Sequence, residues 1–136
     1  MLAEVGIGPF PAESMSDGLT RAALVLAAGA PAVGFICVVL VDGEAHIDQL
    51  SVLPDHGGRG TGRALLEAAI AWARASGLSG VTLTTFRDVP WNAPFYRRVG
   101  FVDVTDLPPG LAAVRAHERA VGDDDFGPRV AMRLAL

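Results

Sequence analysis

Four glycines stand within six residues at Gly57-Gly58-Arg59-Gly60-Thr61-Gly62, directly before a helical pattern. Small residues let successive backbone N–H groups turn toward one point, and a helix start adds partial positive charge. Together these suit a phosphate group. Arg59 and Arg63 can add charged donors. The plain alternative is a flexible turn. Two familiar phosphate loops do not fit. A Mg-nucleotide P-loop needs Lys-Ser/Thr where this chain has Arg63-Ala64. A dinucleotide fingerprint needs GxGxxG, which Gly58 and Gly60 begin and Arg63 breaks.

Few other side chains offer chemistry. His46 and Asp48 are two apart on a strand pattern and so share a face. An unperturbed imidazole titrates near neutrality. Gln49 follows them, and Glu44 lies nearer the preceding turn. His56 borders the glycine loop, where it can touch a phosphate, whereas His117 sits among charges and should face solvent. Asp123-Asp124-Asp125 reads as a solvated loop, or as a lure for a cationic amine. Cys37, the single cysteine, lies in an apolar run and reads as a small hydrophobe.

The elements that must carry these residues follow from periodicity. Residues 19–28 suit a strand or a short helix, and Gly29-Ala30-Pro31 marks a turn. Residues 32–41 are a Val- and Ile-rich strand, and Asp42-Gly43 predicts a hairpin, so residues 44–53 should return antiparallel. Ile47 and Leu50 are out of phase with a period of two, and a bulge between them would restore it. Residues 60–76 have helical spacing, with Leu66, Ile70 and Ala73 on one face, and Gly77 is the stop. Residues 80–86 alternate as a strand. One helix separates them from the previous strand, which predicts a parallel, right-handed crossover. Residues 91–101 read as a short helix, with Asn92 as N-cap, Pro94 in the first turn and Gly100 at the end. A strand at "FVDV", a helix over 109–121 and a C-terminal strand "RVAMRLAL" complete one α/β domain with a mixed sheet.

Composition narrows the function classes. The 136 residues are the size of one domain, and 51% hydrophobic with 19% charged residues describes a globular chain. The net charge is −4 and no basic stripe appears, which argues against nucleic acid as a partner. The longest apolar run, residues 32–41, is too short to span a bilayer, and the N-terminus lacks a secretory pattern. The expectation is a cytoplasmic protein without membrane partners. All eleven basic side chains are arginine, so the chain holds no lysine of its own to acetylate.

Two segments, "VLPDHGGRGTGRALLEAA" and, after a strand, "NAPFYRRVGF", resemble the GNAT superfamily of N-acetyltransferases. The first matches that superfamily's acyl-CoA pyrophosphate loop, written Q/R-x-x-G-x-G/A. Its two glycine positions fall on Gly60 and Gly62, while Gly57 stands where Gln or Arg is preferred. The second matches the N…A…Y…GF motif through Asn92, Ala93, Tyr96, Gly100 and Phe101. The similarity covers roughly residues 19–104. It implies a three-layer α/β fold whose mixed sheet is splayed at its centre and flanked by helices, and acetyl-CoA as co-substrate with no metal. It further implies acetyl transfer to a primary amine, on a small molecule or a protein, by direct attack in a ternary complex.

By the same resemblance, main-chain groups of Leu50, Ser51 and Val52 pair with the pantetheine arm, and the loop Gly57, Gly58, Arg59, Gly60, Thr61, Gly62 and Arg63 holds the pyrophosphate. Asn92 bonds the arm, and Tyr96, the only tyrosine, protonates the departing thiolate. His46 lies near where several relatives carry a carboxylate base, and Asp48 or Gln49 can order a water. Relatives open with a strand and two helices, whereas only 18 residues precede Leu19 here. The expectation is a single domain over 1–136 that lacks the first strand and most of the first helix, with a homodimer covering the exposed sheet edge. Two other function classes remain: an acyl-CoA-binding or regulatory domain without catalysis, and a nucleotide-binding module.

Overall fold

The computed structural model describes residues 8–9, 22–56 and 60–136. Its sheet has seven strands, in the order β1-β2-β3-β4-β5-β7-β6. They are β1 (Gly8–Pro9), β2 (Leu24–Ala28), β3 (Gly34–Val41), β4 (Glu44–Val52), β5 (Gly80–Phe86), β6 (Val102–Val104) and β7 (Arg129–Ala135). Among the described residues three α-helices accompany them: α1 (Thr61–Ala75), α2 (Ala93–Val99) and α3 (Pro109–Ala120). Of the segment before Leu19, only Gly8–Pro9 is described, paired antiparallel with β2; the other N-terminal expectations lie outside the described residues. Residues 19–28, left open between strand and helix, contain β2. No described helix is long and apolar enough to cross a membrane.

The β3–β4 hairpin turns at Asp42 and Gly43, both at positive φ (55° and 75°). That is the mirror-image turn matching the strand twist, and glycine tolerates it best. The register then slips as the sequence predicts. Cys37 pairs with Gln49 but Val38 with Ile47, which leaves Asp48 unopposed. This bulge turns both Ile47 and Leu50 toward the main core, although they are three residues apart.

The same core explains α1. Leu65, Leu66, Ala69, Ile70 and Ala73 pack it onto Ile36, Val38, Ala45, Val81 and Leu83 of the sheet. Helix α2 joins that layer through Ala93 and Tyr96. Alternate residues of β5 point the other way. There α3 covers the sheet: the Thr84 hydroxyl donates to Glu118, and Arg115 holds Glu118 and, with two bonds, Asp124. The expected solvated acidic loop is therefore a 3₁₀ turn, Asp123–Phe126, and its middle carboxylate is committed to a buried arginine rather than free for an amine. His117 is exposed on α3, as expected.

Helix α3 has no cap from its own chain end, because Pro108 occupies the position. Asp42 supplies it from the hairpin, accepting the N–H of Gly110 at 2.7 Å and of Leu111 at 3.0 Å. A Cβ on Gly110 would sit 2.6 Å from Asp42 Oδ1, so only glycine permits that approach. Asp42→Ala should cost about 1 kcal/mol of stability, read as a lower urea midpoint with an unchanged slope.

The sheet splits at its middle. Strands β4 and β5 are parallel and pair only at Ala45 with Val81 and His46 with Thr82. Beyond His46 the two strands part, while β4 stays paired with β3 out to Val52. The end of β4 thus has one edge without a strand partner.

Candidate active site

A cavity of about 800 Å³ opens at this split. One wall is Leu50, Ser51 and Val52, the unpartnered end of β4. The second is Gly60, Thr61, Gly62 and Arg63, the start of α1. The third is Trp91, Asn92, Phe95 and Tyr96. Two sequence segments some thirty residues apart thus meet across one space, and the strand before them supplies the floor.

Gly60 is the N-cap of α1 at φ 79° and ψ 4°, a left-handed conformation that disfavours a Cβ. No side chain caps the helix and its first turn holds no acid. The first helical bond runs from the Ala64 N–H to the Gly60 carbonyl. The N–H groups of Thr61, Gly62 and Arg63 therefore have no helical acceptor. They form the positive end of a 15-residue helix facing the cavity. Arg63 is exposed and pairs with Glu67 one turn on, at 2.9 Å. Gly57, Gly58 and Arg59, with the side chain of His56, lie outside the described residues.

Asn92 is the N-cap of α2, as expected, but its side chain makes no capping bond. The amide is left to the cavity it lines. Tyr96 follows one turn later on the same face. It is 8% exposed, with its ring edge-on to Phe95 at 5.1 Å and to Phe101 at 5.7 Å. Burial pushes its phenol up to about 12. It therefore stays protonated across the physiological range, so in this site it can act as a proton donor and not as a base.

The expected base residues are not drawn together with that wall. His46 is 3% exposed; its Nδ1 lies 2.8 Å from Thr82 Oγ1, at the last pair before the strands part, and it does not line the cavity. Asp48 is exposed at the bulge. Gln49 is occupied with Ser51, its Nε2 donating to Oγ at 3.1 Å. Glu44 is held by Arg133 at 2.6 and 2.9 Å, and that bond keeps its carboxyl below the usual range. Cys37 is fully buried, and burial, helped by Asp48, pushes its thiol up to about 11, so it packs as an inert thiol.

Burial also lowers the pKa of His46, against weaker opposing pulls from Asp48, Glu118 and Asp42. The imidazole is thus neutral when folded. The unfolded chain, with an ordinary histidine, binds a proton more readily. Stability from this site is present above the ordinary histidine pKa and is lost as pH falls from there toward the folded value. The melting temperature should decline as pH falls below about 6.5, and His46→Gln should flatten that decline in pH-dependent thermal melts.

The sequence did not single out Trp91 and Phe95, although both adjoin the N…A…Y motif. Nor did it reveal the buried network of Thr84, Arg115, Glu118 and Asp124. Its one signal is the Arg-x-x-Glu spacing of residues 115–118 on a helix.

A model of the acetyltransferase (GNAT) family matches residues 10–101. The chain belongs to the GNAT acetyltransferase family. Solved GNAT-fold structures agree on the architecture. The IAA acetyltransferase of Bacillus cereus superposes with a TM-score of 0.72 at 16% identity, over 96% of this chain and 98% of that one. The ribosomal-protein-S18-alanine N-acetyltransferase of Escherichia coli gives 0.68 at 18%, over 95% and 92%. The PaiA N-acetyltransferase of Thermoplasma acidophilum, solved in complex with coenzyme A, gives 0.59 at 20%, over 83% of this chain but only 60% of that one. At these identities the shared property is the fold. GNAT membership identifies the chain as one of a family of acyl-CoA-dependent transferases. The parted strands of this GNAT domain open onto the cavity between β4, α1 and α2.

Proposed function

We propose that this chain transfers the acetyl group of acetyl-CoA to a primary amine by direct attack, with both substrates bound at once. The observation that carries the reading is a single cavity whose walls are an unpartnered strand end, an uncapped helix N-terminus and the Asn92–Tyr96 face of α2. The first suits an amide-bearing arm, the second a pyrophosphate, the third a thioester.

The pantetheine arm lies along Leu50, Ser51 and Val52 as a missing strand would, with Asn92 bonding it from the opposite wall. The pyrophosphate sits on the N–H groups at Gly60–Gly62, with Gly57, Gly58 and Arg59 on the same loop and Arg63 beside it. The amine nitrogen attacks the thioester carbon, and positioning provides much of the rate. The C–S bond breaks as the Tyr96 hydroxyl gives its proton to the sulfur. The surplus proton on nitrogen leaves through water to Asp48, the exposed carboxylate at the bulge, with neutral His46 behind it at the fork of the strands. The acceptor is a small-molecule or protein amine, and the catalytic unit is a homodimer.

Calorimetric titration with acetyl-CoA, against CoA, ATP and NAD, tests the reading. Acetyl-CoA should bind with a Kd of about micromolar, and a thiol-release assay over a panel of amines should then show turnover. Tight binding of ATP without acetyl-CoA would overturn the assignment. Acetyl-CoA binding without turnover on any amine would instead identify a non-catalytic acyl-CoA-binding domain.

A further inference from the structure

Trp91 is 75% exposed, although burying a tryptophan is among the largest gains that packing offers. Six large apolar side chains are exposed among the described residues: Leu40, Leu53, Trp91, Val102, Val121 and Phe126. Of these, Trp91 alone lines the cavity at the split. Its segment is anchored on both sides. The Arg87 N–H donates to the Pro128 carbonyl at 2.8 Å, and the Asn92 N–H to the Val89 carbonyl at 2.9 Å. Pro90 further restricts the backbone just before the indole. The ring is therefore displayed from a pinned turn, beside Asn92, across from the end of β4 and the start of α1. A ligand filling the space between those walls meets the indole.

We propose that the Trp91 indole is a packing wall for the bound acyl thioester: it lies over the amide-bearing arm and shields the thioester carbon from water. The inference rests on the acyl-CoA reading above. An indole suits that arm, because its face packs on methyl and methylene groups while Nε1–H can donate to an amide carbonyl.

Binding to Trp91→Ala and Trp91→Phe tests this, by calorimetry with acetyl-CoA and by intrinsic fluorescence. The other tryptophan, Trp72, is half-buried on α1 and supplies the background signal. Acetyl-CoA should shift the emission of the natural protein to the blue and leave that of Trp91→Phe unmoved. Trp91→Ala should raise the Kd about tenfold with an unchanged melting temperature, because the side chain supports no core. A Kd within about twofold of the natural protein would overturn the proposal whatever the emission does. If the natural protein does not bind acetyl-CoA, the acyl-CoA reading falls and this inference with it.

Discussion

Tyr96→Phe should lower kcat by about 100- to 10,000-fold while leaving the Kd for acetyl-CoA close to that of the natural protein. The substitution removes one oxygen and keeps the ring. That ring is what packs between Phe95 and Phe101 and joins the core under α1, so the fold should hold. Without the hydroxyl, the thiolate must leave unprotonated or take a proton from water. Because burial raises the phenol to about 12, Tyr96 also sets a limit on the pH profile. A loss of rate caused by its deprotonation should not appear until pH is well above 10. Single-turnover kinetics with a reactive amine separate the two steps. An undiminished chemical step in Tyr96→Phe would remove this residue from the reaction. A lost Kd with an intact chemical step would make it a binding residue only.

Gly62→Asp should move stability and binding in opposite directions. Gly62 is the second residue of α1 and has ordinary backbone angles, and the nearest foreign atom to an added Cβ is Val52 Cγ2 at 3.8 Å. An aspartate there is better than glycine for a helix and puts a negative charge at the positive end of the dipole. The gain is about 1 kcal/mol, or about 3 °C in the melting temperature. The same carboxylate would face the phosphates of acetyl-CoA within a few ångström. Repulsion there should weaken binding at least about 100-fold, less so at high salt. Gly62→Ala adds the Cβ without the charge, at a position where the resembled motif accepts alanine, and should bind almost normally. If Gly62→Asp is stabilised and still binds acetyl-CoA like the natural protein, the pyrophosphate does not lie at this helix.

Local chemistry accounts for most of the elements. Asp42-Gly43 fits its turn because glycine accepts positive φ, residues 80–86 form a strand over their whole predicted length, and α1 follows from its apolar spacing. Even the bulge could be read, since Ile47 and Leu50 cannot both reach one core without an extra residue between them. The motif positions Gly60, Gly62, Asn92 and Tyr96 do line one cavity. Long-range side-chain partners were not readable, because they depend on surfaces that no local pattern specifies. Asp42 caps a helix 68 residues away, and Asp124 serves Arg115 instead of solvent. His46 and Asp48 show the same limit. Their spacing put them on one strand, but only the tertiary packing, with β5 beside it, made the imidazole buried and neutral while the bulge left the carboxylate in water. Burial and charge environment are set by what packs against a residue, and for this chain those partners come from far along the sequence.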